Sequence, residues 1–268
     1  SSGSIDKNVA PAFQNVYYGA YFQDDIRLRS KWTLNLGLRW EYEAPRTERY
    51  NQMTRGFAAQ TPSPLQSRVP GLNLRGGLLF AGVGGQPRTQ TDPQRRNFAP
   101  RLGIAYQLTP KMVVRAGYGI FFAGTTNMGR GTAAAPGFSV ATPMVTSLDG
   151  VTPHHRLSNP FPDGLLEPIG ASEGLLTLVG QGVSFVEVSR PVSYSQQYSF
   201  SLQFEPLRNF LIETVYSGNR GINLQNSNLQ LNQLTEEQMR LEDALLARVP
   251  NPFSGLISTG SLATPTTT

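Results

Sequence analysis

The chain has 268 residues, carries a formal net charge of +5 at pH 7 and contains no cysteine. The lack of cysteine excludes a disulfide framework and thiolate metal sites, and no apolar run approaches the roughly 18 residues of a membrane-spanning helix. The hydrophobic content of 39% suits a soluble protein, but membrane strands that alternate between apolar and polar residues also give a weak hydropathy signal.

A hairpin is predicted over residues 16–43. Its second strand, Trp32–Tyr42, alternates between apolar and polar residues without exception, and successive side chains of a strand point to opposite faces. Its eleven residues suit a tilted strand that crosses a bilayer, and the aromatic residues at both ends match the girdles at the two membrane interfaces. The first strand alternates in the same way, apart from Asp24 near its end. We interpret both as transmembrane strands.

Two more hairpins follow, over residues 98–122 and 192–218, with the same alternation. The connections Arg29–Lys31, Thr109–Lys111 and Pro206–Asn209 have only three or four residues, so all three pairs are antiparallel. The last strand has the weakest pattern, because two aliphatic residues interrupt its polar row.

Long segments separate the hairpins, at residues 44–97, 123–191 and 218 onward. Loops of this length count against a compact soluble domain, whereas outer-membrane barrels combine short periplasmic turns with long external loops. The fold class is therefore all-β: an antiparallel transmembrane β-barrel with external long loops and periplasmic short turns. Such a barrel lies in the outer membrane of a Gram-negative cell, in contact with lipid and lipopolysaccharide.

The six strands are fewer than the eight of the smallest membrane barrels. The chain begins without an initiator Met or a signal segment, and it ends inside what should be a loop. We expect residues 1–268 to be an internal fragment of one larger barrel domain whose remaining strands lie outside the fragment.

The alternation divides the strand residues into two candidate sets, one apolar and one polar. A watery or plugged lumen requires a hydrophilic wall, so the polar set is expected to face the lumen and the apolar set the lipid. The lipid-facing candidates are Leu34, Leu36, Leu38, Ile104, Tyr118, Phe200 and Leu202. The lumen-facing candidates are Asn35, Arg39, Arg101, Arg115, Ser199 and Glu213.

The first long loop is strongly basic. It holds eight arginines against Glu48 and Asp92, a net charge of +6, whereas the rest of the chain is close to neutral. Such a loop can contact lipopolysaccharide phosphates or an acidic ligand through paired guanidinium hydrogen bonds; alternatively, it is a solvated loop whose charge is balanced elsewhere in the full protein. The candidate anion-contacting residues are Arg46, Arg49, Arg55, Arg68, Arg75, Arg88, Arg95 and Arg96.

One short loop helix is predicted in the last long segment. Thr235 and Gln238 have the spacing of a capping box. A partial apolar stripe runs from Met239 to Leu246, and Pro250 stops the helix. We expect it to be a packing element of the loop.

No catalytic, cofactor-binding or metal-binding set emerges from the sequence. The two histidines, His154 and His155, are adjacent in a long loop, without HExxH spacing and without the separate partners of a Ser/His/Asp triad. We predict that the chain is not an enzyme, requires no cofactor and binds no nucleic acid.

Seven motifs, in their order along the chain, together resemble the barrel of TonB-dependent outer-membrane receptors. Among these receptors, they are most similar to the large Oar-like group. The resemblance covers the three hairpins and the loop helix, and leaves the long loops unmatched. The motifs are Tyr21–Arg27, Leu34–Tyr42, Asn97–Tyr106, Arg115–Phe122, Tyr194–Phe200, Tyr216–Gly221 and Val249–Phe253.

This resemblance implies a barrel of 22 or more strands, an N-terminal plug and a TonB box that couples transport to the inner-membrane proton gradient. The plug and the box lie outside the fragment, so the chain would meet TonB only through other parts of the protein. The resemblance supplies no substrate residues, and the transported ligand is unknown.

Two alternatives remain open at this point. An outer-membrane adhesin would keep the barrel and display the loops without transporting anything. A soluble or surface-attached β-sandwich that binds carbohydrate or protein would also alternate, but it would have to bury six apolar strand faces and accommodate loops of over fifty residues.

Overall fold

The computed structural model describes residues 3–124, 135–226 and 229–267. Its strands are long in three hairpins and short in the segments between them. In chain order they are β1 (Gly3–Asn8), β2 (Phe13–Gln14), β3 (Tyr17–Arg29), β4 (Trp32–Glu43), β5 (Thr47–Glu48), β6 (Thr54–Phe57), β7 (Leu78–Phe80), β8 (Asn97–Thr109), β9 (Met112–Phe122), β10 (Ser139–Met144), β11 (Tyr194–Leu207), β12 (Phe210–Ile222), β13 (Val249–Pro250) and β14 (Thr266–Thr267).

The six long strands form one antiparallel sheet in the order β3-β4-β8-β9-β11-β12. Each long strand lies beside the long strand that precedes it in the chain, which is the up-and-down arrangement of a barrel wall. The predicted all-β fold with three antiparallel hairpins is confirmed, and β3 and β12 form the two edges of the sheet.

The three hairpin turns are tighter than predicted. Two residues lie outside the strands in each turn, and a register shift beside each turn marks a bulge in the pairing. In the third turn Asn209 has a φ angle of 63°, a left-handed conformation that Asn tolerates better than most residues. The predicted turn Pro206–Asn209 is therefore two residues too long.

Both faces of the six-stranded sheet are exposed. Tyr21 and Phe22 are neighbours on opposite faces of β3 and are 78% and 70% exposed. Of the buried hydrophobic side chains in the described residues, only Ala99 belongs to the six-stranded sheet. The long strands therefore provide a surface on each side, and no core formed by the described residues covers either surface.

The buried core lies in the long segments instead. Small two-stranded sheets form here: β6 pairs with β7 within the first segment, and the N-terminal strands β1 and β2 pair with β10 and β5. Leu78, Phe80 and Phe138 form a buried cluster, in which the rings of Phe80 and Phe138 meet edge to face at 5.8 Å. Phe57 of the first segment stacks on Phe185 of the second at 5.0 Å. We call this assembly of residues 47–92 and 138–190 the loop core.

A buried carboxylate helps to fix the first segment. Glu48 is 1% exposed and accepts hydrogen bonds from the backbone N–H groups of Ala12, Tyr50 and Gln52 at 2.9, 2.7 and 2.7 Å. Burial on its own raises the pKa of this carboxyl, but the N–H groups outweigh that effect and hold the pKa below its usual value.

The predicted loop helix is present but short. Thr235 and Gln238 form both hydrogen bonds of the capping box, and the α-helix α1 covers only Glu236–Met239. The expected continuation toward Pro250 is wrong, because Glu242 has a φ angle of 44° and breaks the helix. The following turns are a 3₁₀-helix at Glu242–Leu246.

The expected packing role of the helix is also not met within the described residues. Met239, Leu241 and Leu246 are exposed and Leu245 is half-buried, so most of the apolar stripe does not pack on the described residues. None of the helices in the described residues is long and apolar enough to cross a membrane.

Candidate functional site on the polar face of the sheet

Strand register places the two candidate sets on opposite faces of the sheet. Leu34 pairs with Ile104, Ile104 with Ala116 and Ala116 with Phe200, and residues paired across strands share a face. The same chain of pairs places all seven lipid-facing candidates on one surface, which we call the apolar face. The remaining four are Leu36, Leu38, Tyr118 and Leu202.

The six lumen-facing candidates share the opposite surface, which we call the polar face. Asn35 pairs with Gly103, which pairs with Gly117, which in turn pairs with Ser199. By the same alternation the polar face also includes Arg39, Arg101, Arg115 and Glu213. The structure brings the predicted residues together as a set; that they face the lumen stays a prediction.

Aromatic rings border the apolar face at both ends of the strands. Trp32 stacks on Tyr106 at 4.0 Å near the short turns, and Tyr18 stacks on Tyr42 at 6.0 Å near the long segments. The eleven residues from Trp32 to Tyr42 span about 33 Å along the strand. At the tilt of roughly 35–45° found in membrane barrels, this gives an apolar band about 25 Å tall.

Arg39 has a neutralised charge on the polar face. Its guanidinium lies 2.5 Å from the carboxylate of Glu41 and donates a hydrogen bond of 2.9 Å to the hydroxyl of Tyr17. This arginine is therefore held in place near the end of β4 by two neighbours.

Asn35 and Glu213 are also held by neighbours on the polar face. The Asn35 amide donates to Asp25 at 2.5 Å, and the Gln203 amide donates to Glu213 at 2.9 Å. Both are cross-strand pairs between polar side chains that lie directly opposite each other.

Arg101 and Arg115 differ from these residues, because neither forms a salt bridge with a carboxylate among the described residues. They are the only charged residues in β8 and β9. The guanidinium of Arg101 lies over the ring of Phe121, 5.0 Å from its centroid, which fixes its plane by a cation–π contact. The middle of the polar face therefore presents an unneutralised, oriented cation.

An open cavity surrounds this cation on the polar face. Its volume is about 560 Å³, and it extends over β8, β9, β11 and β12. The side chains that line it from the polar face combine one charge, one aromatic ring, hydroxyls and amides. Leu102, Tyr118, Tyr198 and Gly218, whose side-chain positions alternate onto the apolar face, also border it. The polar-face residues that line it are Arg101, Gly117, Gly119, Phe121, Gln197, Ser199, Ser217 and Asn219.

Three of the eight loop arginines have structural roles. Arg55 is 4% exposed and binds Thr89 and the carboxylate of Asp92. Arg88 donates to the backbone carbonyls of Glu48 and Arg49, and Arg75 donates similarly to the carbonyl of Gln60 at 2.8 Å.

Three other loop arginines lie over aromatic rings: Arg46 over Phe13 at 5.0 Å, Arg49 over Tyr50 at 5.7 Å and Arg95 over Tyr42 at 5.8 Å. The two that remain, Arg68 and Arg96, are exposed. Anion contact by this loop stays a prediction, and it is best suited to these two side chains.

The adjacent histidines make local contacts. Their rings stack at 4.6 Å, and Nδ1 of His155 accepts a hydrogen bond of 3.2 Å from the backbone N–H of Val145. Within the described residues, no group of three or more His, Asp or Glu side chains is arranged to hold a metal ion.

Four cavity residues were not predicted as site residues from the sequence: Phe121, Gln197, Ser217 and Asn219. Phe121 and Gln197 fall in the polar rows of their strands, so alternation identified their face but not their importance. The signal that distinguishes them is cross-strand pairing, since Gln197 pairs with both Gly119 and Asn219. Pairing between residues so far apart in the sequence leaves no local sequence pattern from which it could be predicted.

Residues 1–266 match the family described as outer membrane beta barrel domain. No curated protein and no solved structure matches the chain significantly.

Proposed function

The chain belongs to the family of outer membrane beta barrel domains, and from this premise we propose that it is part of the barrel of a TonB-dependent receptor that takes up or exports a substrate. Family membership places the protein in the cell outer membrane, where the six-stranded sheet is wall of a membrane-spanning barrel. The family is typically non-enzymatic. The observation that carries the transport proposal is the polar face, with its cavity and its unneutralised Arg101.

The open edges of the sheet support the proposal that these residues are one part of a larger barrel. In lipid, every backbone N–H and C=O must be paired within the protein. The outer backbone edges of β3 and β12 have no partner strand among the described residues. We propose that further strands of the same polypeptide close the barrel on both edges.

The proposed orientation follows from loop length. The three two-residue turns lie at one end of the sheet and the loop core at the other. Outer-membrane barrels have short turns on the periplasmic side and long loops outside. We propose that the loop core is external, where Arg68 and Arg96 can reach lipopolysaccharide phosphates.

The test of TonB dependence uses the full-length protein in detergent and the purified periplasmic domain of TonB. We expect saturable binding in a surface-based binding assay, because energy coupling requires contact between the two proteins. A plugless porin from the same membrane, treated identically, is the control and should not bind.

The adhesin alternative predicts a different result. Full-length protein that is folded but does not bind TonB would contradict the receptor proposal. Cells that lack the protein would then be tested for attachment to surfaces and to other cells. Loss of attachment, together with the absence of TonB binding, would establish display of the loop core as the function.

A further inference from the structure

The cavity on the polar face has the chemistry of a small-molecule site. We propose that it binds an anionic small molecule rich in hydroxyl groups, of the sugar-acid class; this rests on the proposed function, since it requires the polar face to line the barrel lumen. Its volume of about 560 Å³ falls within the roughly 300–1,000 Å³ of typical ligand sites.

Arg101 supplies the anion-binding end of the cavity. It is the only charged residue among those that line the cavity, so nothing in the lining neutralises it or attracts a cation. A guanidinium binds a carboxylate through two parallel hydrogen bonds, provided that its plane is held. The contact with Phe121 at 5.0 Å holds that plane and also occupies one face of the ring.

Four polar side chains supply the hydroxyl-binding end. Gln197, Ser199 and Ser217 form no side-chain hydrogen bonds with the described residues. Asn219 accepts a hydrogen bond of 2.6 Å from the hydroxyl of Ser195, which orients its amide and leaves its NH₂ group as a donor. Amides and hydroxyls that donate and accept are the groups that complement the hydroxyls of a ligand.

Two glycines form the floor between these ends. A Cβ atom on Gly117 would lie 3.1 Å from the Ser199 hydroxyl, and one on Gly119 would lie 2.9 Å from the ring of Phe121. Neither position tolerates a side chain without moving a cavity residue. The glycines therefore keep the cavity open and allow Phe121 and Ser199 to take their positions.

Full-length protein in lipid nanodiscs would be titrated with three probes, and binding followed by ligand-observed saturation-transfer NMR. D-glucuronate has both a carboxylate and hydroxyls, D-glucose has only the hydroxyls, and acetate has only the carboxylate. We expect saturable binding of D-glucuronate, at least tenfold tighter than that of either other probe.

The matched variants are Arg101→Gln, Asn219→Ala and the control Arg115→Gln. Arg115 is another arginine of the polar face that forms no salt bridge among the described residues. It lies four residues along β9 from Gly119, the residue paired with Arg101, a distance of about 13 Å. Arg101→Gln should weaken D-glucuronate binding about tenfold to a hundredfold, as expected for a lost charge-assisted pair. Asn219→Ala should weaken it less, and Arg115→Gln should leave it unchanged.

The outcomes separate this inference from the transport proposal, because the titration does not involve TonB. Equal binding of acetate and D-glucuronate would overturn the hydroxyl-recognition part. Absence of binding, or an equal effect of Arg115→Gln and Arg101→Gln, would overturn the site itself. TonB binding could still be observed in either case.

Discussion

The six-stranded sheet exposes its apolar side chains, whereas the loop core buries its own. In the sheet, Phe22 is 70% and Leu102 50% exposed, whereas Leu78 and Phe80 in the loop core are 2% and 3% exposed. The loop core also buries charge, since Glu48 is 1% and Arg55 4% exposed. One chain thus contains a region packed like a water-soluble domain and a region with no core at all.

The difference shows where each region obtains its stability. The loop core supplies its own apolar contacts and pairs its two buried charges, Glu48 with backbone N–H groups and Arg55 with Thr89 and Asp92, as a domain in water must. The sheet has backbone pairing inside, and in the proposed barrel lipid would cover its apolar face and neighbouring strands its edges. The two regions should therefore respond differently to the loss of the membrane and to single substitutions.

The largest expected effect comes from removing the membrane and the neighbouring strands. Exposed strand edges and large apolar patches both drive association. Residues 1–268 expressed alone in water should therefore aggregate or require detergent, and should lack cooperative unfolding even in detergent. Size-exclusion chromatography and thermal denaturation measure this directly.

The opposite outcome would be informative. A soluble, monodisperse monomer with a sharp thermal transition would contradict the barrel-wall interpretation of the sheet. It would favour the β-sandwich, in which a second layer covers the apolar face.

A core substitution tests the independence of the loop core. Phe80→Ala removes a ring that contacts Phe138 edge to face and should cost about 3–5 kcal/mol of local stability. Hydrogen exchange of the full-length protein should accelerate in residues 47–92 and 138–190 and stay unchanged in the six long strands. Phe22→Ala, on the exposed apolar face of β3, is the matched control and should leave the loop core unaffected.

The hairpins could be predicted from sequence because their signal is local. Alternation, strand length and short connections all lie within about 30 residues of one another, and all three hairpins are confirmed. The loop core could not be predicted, because Leu78, Phe80 and Phe138 come together from distant segments without periodicity. The predicted helix was longer than α1, because the apolar stripe contained no sign of the break at Glu242.

The candidate site was predicted only as a face. Alternation assigned Arg101, Arg115 and Ser199 to the polar side, and cross-strand register agrees. It could not show that Arg39 is neutralised by Glu41 while Arg101 is not. Which charges remain unpaired depends on side-chain geometry and on partners in other strands.

A charge placed on the apolar face tests whether lipid covers it. Leu102 lies between Leu36 and Tyr118, midway along its strand, so Leu102→Arg should destabilise the full barrel by about 2–4 kcal/mol in a bilayer. Asp24, expected near the end of its strand, lies five residues before the end of β3 and directly opposite Leu36. Leu36→Arg should therefore cost less, because Asp24 can pair with the new charge. Urea unfolding in lipid vesicles gives the free energies.

The polar-face control for this pair is Asn35→Arg. Asp25 already accepts a hydrogen bond from Asn35, so an arginine there gains a carboxylate partner and should have little effect. Similar costs for Leu102→Arg and Asn35→Arg would show that the two faces share one environment.

The smallest expected effect concerns the buried Glu48 and distinguishes the regions by pH. Because its pKa in the folded protein is lowered, the ionised form stabilises the loop core above the unfolded-state pKa of about 4.3. That stabilisation decreases as the pH falls below this value and is lost once the pH passes below the lowered pKa of the folded state. Glu48→Gln replaces one of the two acceptor oxygens by an NH₂ donor and leaves at least one buried N–H group without its acceptor, so it should cost about 1–3 kcal/mol at neutral pH. Hydrogen exchange of residues 47–57 should accelerate between pH 5 and pH 3, relative to the intrinsic rate, in the native protein but not in Glu48→Gln. An equal pH response in both proteins would assign the acid sensitivity to another group.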